Sequence, residues 1–182
     1  MKLLSCLVMC TVLAMSEVAA LTTGDSVPDC TLTDTNGREM KLCQFKGQAL
    51  ALTFIFTRCP LKDYCPRMTA HFAAVQRDMS ADQNWHLLSV SFDPEHDTPE
   101  KLLAYARAHG ADSSRWTFAT ARPDVLSRLG AWFGLEVRSK DGMIDHNLRT
   151  VVIDAEGRVQ HVFEGNAWTP QELAWELKKA MR

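Results

Sequence analysis

The chain has 182 residues, 46% hydrophobic and 23% charged, with nine glycines and seven prolines, which is the composition of an ordinary globular domain. A formal net charge of -2 and the lack of a long Lys/Arg run leave no electrostatic footprint for a polyphosphate, so a nucleic-acid partner is not expected. No repeat, low-complexity segment or interdomain linker interrupts it.

The first twenty residues join one lysine to an apolar stretch and end in Val18-Ala19-Ala20, small residues of the kind signal peptidase reads. We expect a signal peptide over 1–20, cleaved after Ala20, and a single exported domain over 21–182 in a periplasm-like compartment. The alternative is a retained membrane anchor. Glu17 confines the uninterrupted apolar run to residues 3–16, short of the roughly 20 residues that a span needs, so no span is expected after cleavage. Cys6 and Cys10 leave with the leader. Four cysteines remain, Cys30, Cys43, Cys59 and Cys65, in surroundings where disulfides persist.

The stretch CTLTDTNGREMKLC (30–43) alternates on both sides of Asn36-Gly37, the dipeptide suited to a two-residue hairpin turn. With Thr35 and Arg38 flanking that turn, opposed residues sum to 73, and so do Cys30 and Cys43. The pair then falls at a non-hydrogen-bonded position with Cα atoms about 4.5 Å apart, within disulfide range. A structural Cys30–Cys43 bridge is expected, contributing on the order of 3 kcal/mol. Two free thiols at core-facing positions are the alternative.

Strands and helices alternate from there on. ALALTFIF (49–56) is a continuous apolar run suited to a strand covered on both faces, and PRMTAHFAAVQRDM (66–79) has helical spacing behind a first-turn proline. WHLLSVSF (85–92) reads as the next strand. TPEKLLAYARAHG (98–110) reads as a helix with Thr98 as cap, Pro99 in its first turn and Gly110 as stop. A short strand, WTFAT, precedes the helix PDVLSRLGAWF. RTVVID and RVQHVFEG flank the turn AEG, and TPQELAWELKKAM closes the chain behind a Thr169/Glu172 capping box. A leading hairpin, βαβ units, a second hairpin and a final helix describe an α/β, thioredoxin-like three-layer sandwich.

Ligands gather outside the carboxyl ends of such strands, and Cys59 follows strand 49–56 by three residues, in FTRCPLKDYCPRM. Cys65 precedes a helix, whose unpaired N–H groups, with Arg58 and Lys62, should promote its thiolate. A thiolate either attacks a disulfide or holds a soft metal, so reactivity alone does not choose. Five residues separate these cysteines, where the thioredoxin redox motif has two. The wider loop leaves room for both sulfurs on one ion. A third ligand would come from the histidines. His71 and His109 fall on helices, His161 within a strand, His86 at a strand start and His96 in the DPEHDTP loop, where surface or core roles suffice. His146 directly precedes a strand, in a loop after a glycine turn, and is the candidate ligand.

Taken together, VPDCTLTDTNGREMKL, LTFIFTRCP with the second CP, VSFDPEHDTPEKLLAYARAHG and DHNLRTVVIDAEGRV resemble the Sco/SenC family, in the family's order and over nearly all of the mature chain. Its members are thioredoxin-fold copper proteins of cytochrome c oxidase assembly. The resemblance implies copper as the bound metal, with Cys59, Cys65 and His146 as ligands, and a copper-acceptor protein such as a cytochrome c oxidase subunit as partner. This chain departs from the usual family pattern in its longer cysteine loop, and in a cleavable leader where many relatives carry an anchor. Asp93 and Asp97, at a strand end and near a helix cap, are candidates for orienting a ligand, although Asp97 or Thr98 would also serve simply as the cap. Arg58 and Tyr64 pack and solubilise the loop; Met68 and Met143 are core fillers or thioether donors. Two functions follow: a copper chaperone, or a thiol–disulfide oxidoreductase using Cys59 and Cys65 as its redox couple. A peroxidase is disfavoured because Thr57-Arg58-Cys59 lacks the peroxiredoxin arrangement, and a non-catalytic interaction module would be indifferent to all three residues.

Overall fold

The computed structural model describes residues 19–140 and 143–182, with the side chains of Lys140 and Met143 outside that description. The expected signal peptide, residues 1–20, therefore lies outside the described residues except for Ala19 and Ala20. Strands are β1 (Thr31–Asp34), β2 (Glu39–Lys41), β3 (Ala49–Ile55), β4 (Trp85–Ser91), β5 (Trp116–Thr120), β6 (Val137–Lys140), β7 (Met143–His146), β8 (Arg149–Ile153) and β9 (Val159–Glu164). Helices are α1 (Cys65–Asp78), α2 (Pro99–Ala108), α3 (Pro123–Trp132) and α4 (Pro170–Ala180).

Seven strands form one sheet in the order β2-β1-β5-β4-β3-β8-β9. β3 and β4 lie at its centre, buried at every position, which is why their sequences read as unbroken apolar runs. Alternate residues of β3 serve opposite faces. Ala49, Ala51 and Ile55 pack with Phe72 of α1, Leu102 of α2 and Leu173 and Leu177 of α4. Leu50, Leu52 and Phe54 pack instead with Leu126 and Leu129 of α3. Each such large side chain is worth about 1.5–3 kcal/mol when fully buried, so the two apolar layers hold the sheet from both sides. The expected thioredoxin-like sandwich is the observed fold.

Local signals set the helix ends as expected. Pro99, Pro123 and Pro170 open their helices, Thr98 accepts from Lys101 N–H, and Thr169 and Glu172 form a complete capping box. Gly110 turns the chain out of α2 at φ +68°.

The leading hairpin departs from expectation by one residue. Its register sums to 72, with Thr31 opposite Lys41 and Thr33 opposite Glu39. Asp34 is the cause. Its carboxylate accepts from the N–H groups of Asn36 and Arg38, which stabilises a three-residue loop with Gly37 at φ +74° in place of the two-residue turn. Leu42 N–H therefore bonds to Cys30 C=O, and Cys43 moves into a short 3-10 turn over Leu42–Phe45. Cys30 packs against the α3 layer while Cys43 is exposed, and both are free thiols. The register argument for a Cys30–Cys43 bridge thus fails.

Candidate metal centre

Topology brings the distant residues together. β3 and β4 are parallel, with Ile55 opposite Ser91, so the segments that follow them, Phe56-Thr57-Arg58-Cys59 and Phe92-Asp93, leave the sheet side by side. β8 runs antiparallel to β3 with Thr150 opposite Thr53, so the residues preceding β8 arrive at the same end. His146 is among them. It closes β7 rather than lying in a loop, because Val137–Lys140 and Met143–His146 pair as an additional hairpin, with Val137 opposite His146.

His146 is 7% exposed, and its ring is set among Phe56, Tyr64 and Phe92 with centroids 5.7, 5.9 and 4.7 Å away. Its Nδ1 lies 2.6 Å from the carbonyl oxygen of Asn147. A carbonyl only accepts, so Nδ1 carries the proton. That leaves the Nε2 lone pair of the neutral ring 3.7 Å from Cys65 Sγ. Burial lowers the pKa of His146 and keeps the ring neutral.

Cys65 is the first residue of α1 and is fully buried. Burial, followed by the neighbouring Cys59, pushes its thiol pKa up, so desolvation outweighs the thiolate-promoting helix terminus expected from the sequence. Cys59 is half-buried and directs its S–H toward Leu61 C=O at 3.8 Å. Cys59 and His146 share the wall of a cavity of about 460 Å³ with Phe56, Pro60, Leu61 and Tyr64.

The fit to one soft ion can be tested on these atoms. Sulfur and nitrogen donors at bond lengths of about 2.3 and 2.0 Å on a three-coordinate centre stand about 3.7 Å apart. That is the Cys65–His146 separation. Among the described residues no three His, Cys, Asp or Glu groups already surround a common point, since Cys59 faces the loop.

The two aspartates hold the cysteine loop. Asp97, fully buried, accepts from Thr57 N–H at 2.9 Å, Thr57 Oγ1 at 2.5 Å and Ser91 Oγ at 2.5 Å. Thr98, not Asp97, caps α2. Asp93 accepts from Arg58 Nε at 2.6 Å, so the charge of Arg58 is engaged there rather than offered to the thiols. A third tie joins Asn166 Nδ2 to Asp63 C=O at 2.8 Å. Thr57, Ser91, Asn147 and Asn166 were not singled out by sequence; the SFDPEHDTP stretch was the one available signal for the Ser91 contact.

The remaining histidines stand apart from the thiols. His86 bonds to Thr117, His109 to the carbonyl of Tyr105, and His96 accepts from Lys101; His71 packs on Trp168 and His161 on Phe163. Met68 is buried in the core as a filler, and the side chain of Met143 lies outside the described residues. No described helix is long and apolar enough to cross a membrane.

Comparison with known proteins places the chain in a family. Over 147 residues, 78% of this chain and 75% of its counterpart, the sequence is 26% identical to the SCO1 protein homolog of Bacillus subtilis. Bradyrhizobium japonicum ScoI, solved with copper bound, is 26% identical with a TM-score of 0.72, covering 86% of this chain and 99% of that one. BsSco, described as a member of the Sco family of cytochrome c oxidase assembly proteins with a disulfide switch, shares the fold at a TM-score of 0.76 and 24% identity, covering 90% and 98%. The SCO1/SenC family model matches residues 19–182, and the chain belongs to that family.

Proposed function

We propose that this protein is an exported copper chaperone that holds Cu(I) through Cys59, Cys65 and His146 and passes it to a cuproenzyme, with a cytochrome c oxidase subunit as the acceptor. The observation that carries the reading is the Nε2 lone pair of His146 directed at Cys65 Sγ, whose S–H it accepts at 3.7 Å, with Cys59 beside His146 on the wall of the same cavity. Two thiolates and an imidazole form a soft donor set that favours Cu(I). Copper in the related ScoI supports the same assignment.

The chain's own groups divide the work. The Asn147 carbonyl fixes the His146 tautomer, the aromatic rings exclude water, and Asp97 and Asp93 hold the loop that carries Cys59. Burial keeps Cys65 a thiol until it is ligated, so loading releases its proton. Joining Cys59 and Cys65 as a disulfide would remove both sulfur donors, which makes metal binding and oxidation exclusive.

A thiol–disulfide oxidoreductase is the second reading, favoured by one observation: Cys59 is partly exposed on the cavity wall whereas Cys65 is fully buried. The Cys59 thiolate would attack a client disulfide and expel one client thiolate. Cys65 would then attack Cys59 sulfur, release the second, and leave a Cys59–Cys65 disulfide. His146 is dispensable to that sequence.

Anaerobic titration of the reduced protein, residues 21–182, with Cu(I) separates the readings. One tight equivalent is expected, abolished in Cys59→Ser/Cys65→Ser and weakened in His146→Ala. Unchanged binding in the double variant would overturn the proposal, and undiminished disulfide exchange in His146→Ala without copper affinity would favour the second reading.

A further inference from the structure

We infer that Asn147 is a positioning residue for the metal centre, its side-chain amide clamping the α3–β6 turn so that its own backbone carbonyl holds His146 with Nε2 toward Cys65. The inference rests on the proposed His146 ligation, but its geometry stands without a metal. Three hydrogen bonds fix residue 147. Its Nδ2 donates to Gly134 C=O at 2.9 Å, its Oδ1 accepts from Glu136 N–H at 3.0 Å, and its N–H donates to Glu136 C=O at 3.2 Å. Donor and acceptor ends of the amide are thus both used, and a group with only one of these functions cannot close the clamp.

The clamped turn is itself held. Gly134 sits at φ +66°, a conformation other residues adopt at a cost, and Leu21 N–H bonds to Trp132 C=O at 2.7 Å just before it. The amide therefore ties the end of β7 to a fixed point on the far side of the hairpin. The carbonyl that follows the clamped N–H lies 2.6 Å from His146 Nδ1 and directs the opposite ring nitrogen at the thiol. Without the amide the peptide after His146 keeps only its N–H bond to Glu136 C=O, the acceptor of Nδ1–H is held less firmly, and the imidazole can present either tautomer. Loss of partners that orient a ligating histidine typically costs 10–100-fold in metal affinity.

The test uses Asn147→Ala and Asn147→Asp in the protein of residues 21–182. Long-range proton–nitrogen spectra of the metal-free protein, recorded where histidine is neutral, read the His146 tautomer. Wild type should show a single form protonated at Nδ1; Asn147→Ala should show a mixture and a Cu(I) affinity lower by about 10-fold or more at unchanged stoichiometry. Asn147→Asp keeps the acceptor for Glu136 N–H but loses the donor to Gly134, and should fall between. It also carries the test if Asn147→Ala does not fold. A wild-type tautomer with affinity within two-fold in the folded variants overturns the inference. Failure of wild type itself to bind Cu(I) would instead overturn the proposed function, and the tautomer spectra would still judge the clamp.

Discussion

Cys59/Cys65 and Cys30/Cys43 are two cysteine pairs in one chain, and the fold treats them oppositely. The first pair leaves the carboxyl end of the central strand and opens α1, where Asp97 and Asp93 hold the intervening loop and His146 meets it from another strand. The second pair lies on a peripheral hairpin, one thiol turned into the α3 layer and the other into solvent, with no histidine among the described residues lining the surface beside either. What distinguishes them is convergence: parallel β3 and β4 deliver two segments to one end of the sheet, and antiparallel β8 delivers a third.

The comparison can be broken most directly at the sulfurs. Cys65→Ser should lower Cu(I) affinity by more than about 100-fold, beyond the loss typical of outer-shell partners, whereas Cys30→Ser should leave it unchanged; competition against a chromophoric chelator measures both. Next in size is Asp97→Ala. It strands Thr57 N–H, Thr57 Oγ1 and Ser91 Oγ around a buried site and should destabilise the fold by on the order of 3 kcal/mol in urea unfolding, with weaker copper binding as the loop loosens.

A contrast between two histidines sharpens the same point. His86 and His146 are both buried, but only His146 aims a lone pair at a thiol. Burial lowers the pKa of His86 from 6.5 to about 4. Above pH 6.5 the ring is neutral whether folded or not, and its full contribution is present. As pH falls from 6.5 toward 4 the unfolded chain takes up a proton that the fold refuses, so stability declines by on the order of 3 kcal/mol. His86→Gln should flatten that acid limb in denaturation profiles and leave copper affinity unchanged. The smallest effect belongs to Cys43→Ser, within about 0.5 kcal/mol of wild type, because Cys43 is exposed and the substitution keeps its backbone bonds, N–H to Asp29 and C=O from Lys46 N–H. In thiol-labelling kinetics Cys43 should react before Cys30, whose pKa is pushed up to about 11, mainly by burial.

Those elements whose own residues determine them were legible in the sequence. Pro99, Pro123, Thr169 and Gly110 mark helix ends by local chemistry, and the apolar runs of β3 and β4 report burial on both faces. The β6–β7 hairpin was missed because VRSK is exposed over its described residues and carries no alternating burial to read. The leading hairpin was placed one residue out of register because the Asp34 carboxylate, rather than Asn36-Gly37 alone, selects the loop length. At the site, the Cys and His types announced their chemistry, but the desolvation of Cys65 and the Asn147 clamp depend on neighbours brought from elsewhere in the chain.

X-ray absorption of the Cu(I)-loaded protein tests the central claim most directly. Two sulfur neighbours and one nitrogen are expected around each copper in wild type, with the nitrogen lost in His146→Ala and the sulfurs unaffected by Cys30→Ser/Cys43→Ser. A copper environment identical in wild type and His146→Ala, or one that depends on Cys30 and Cys43, would contradict it.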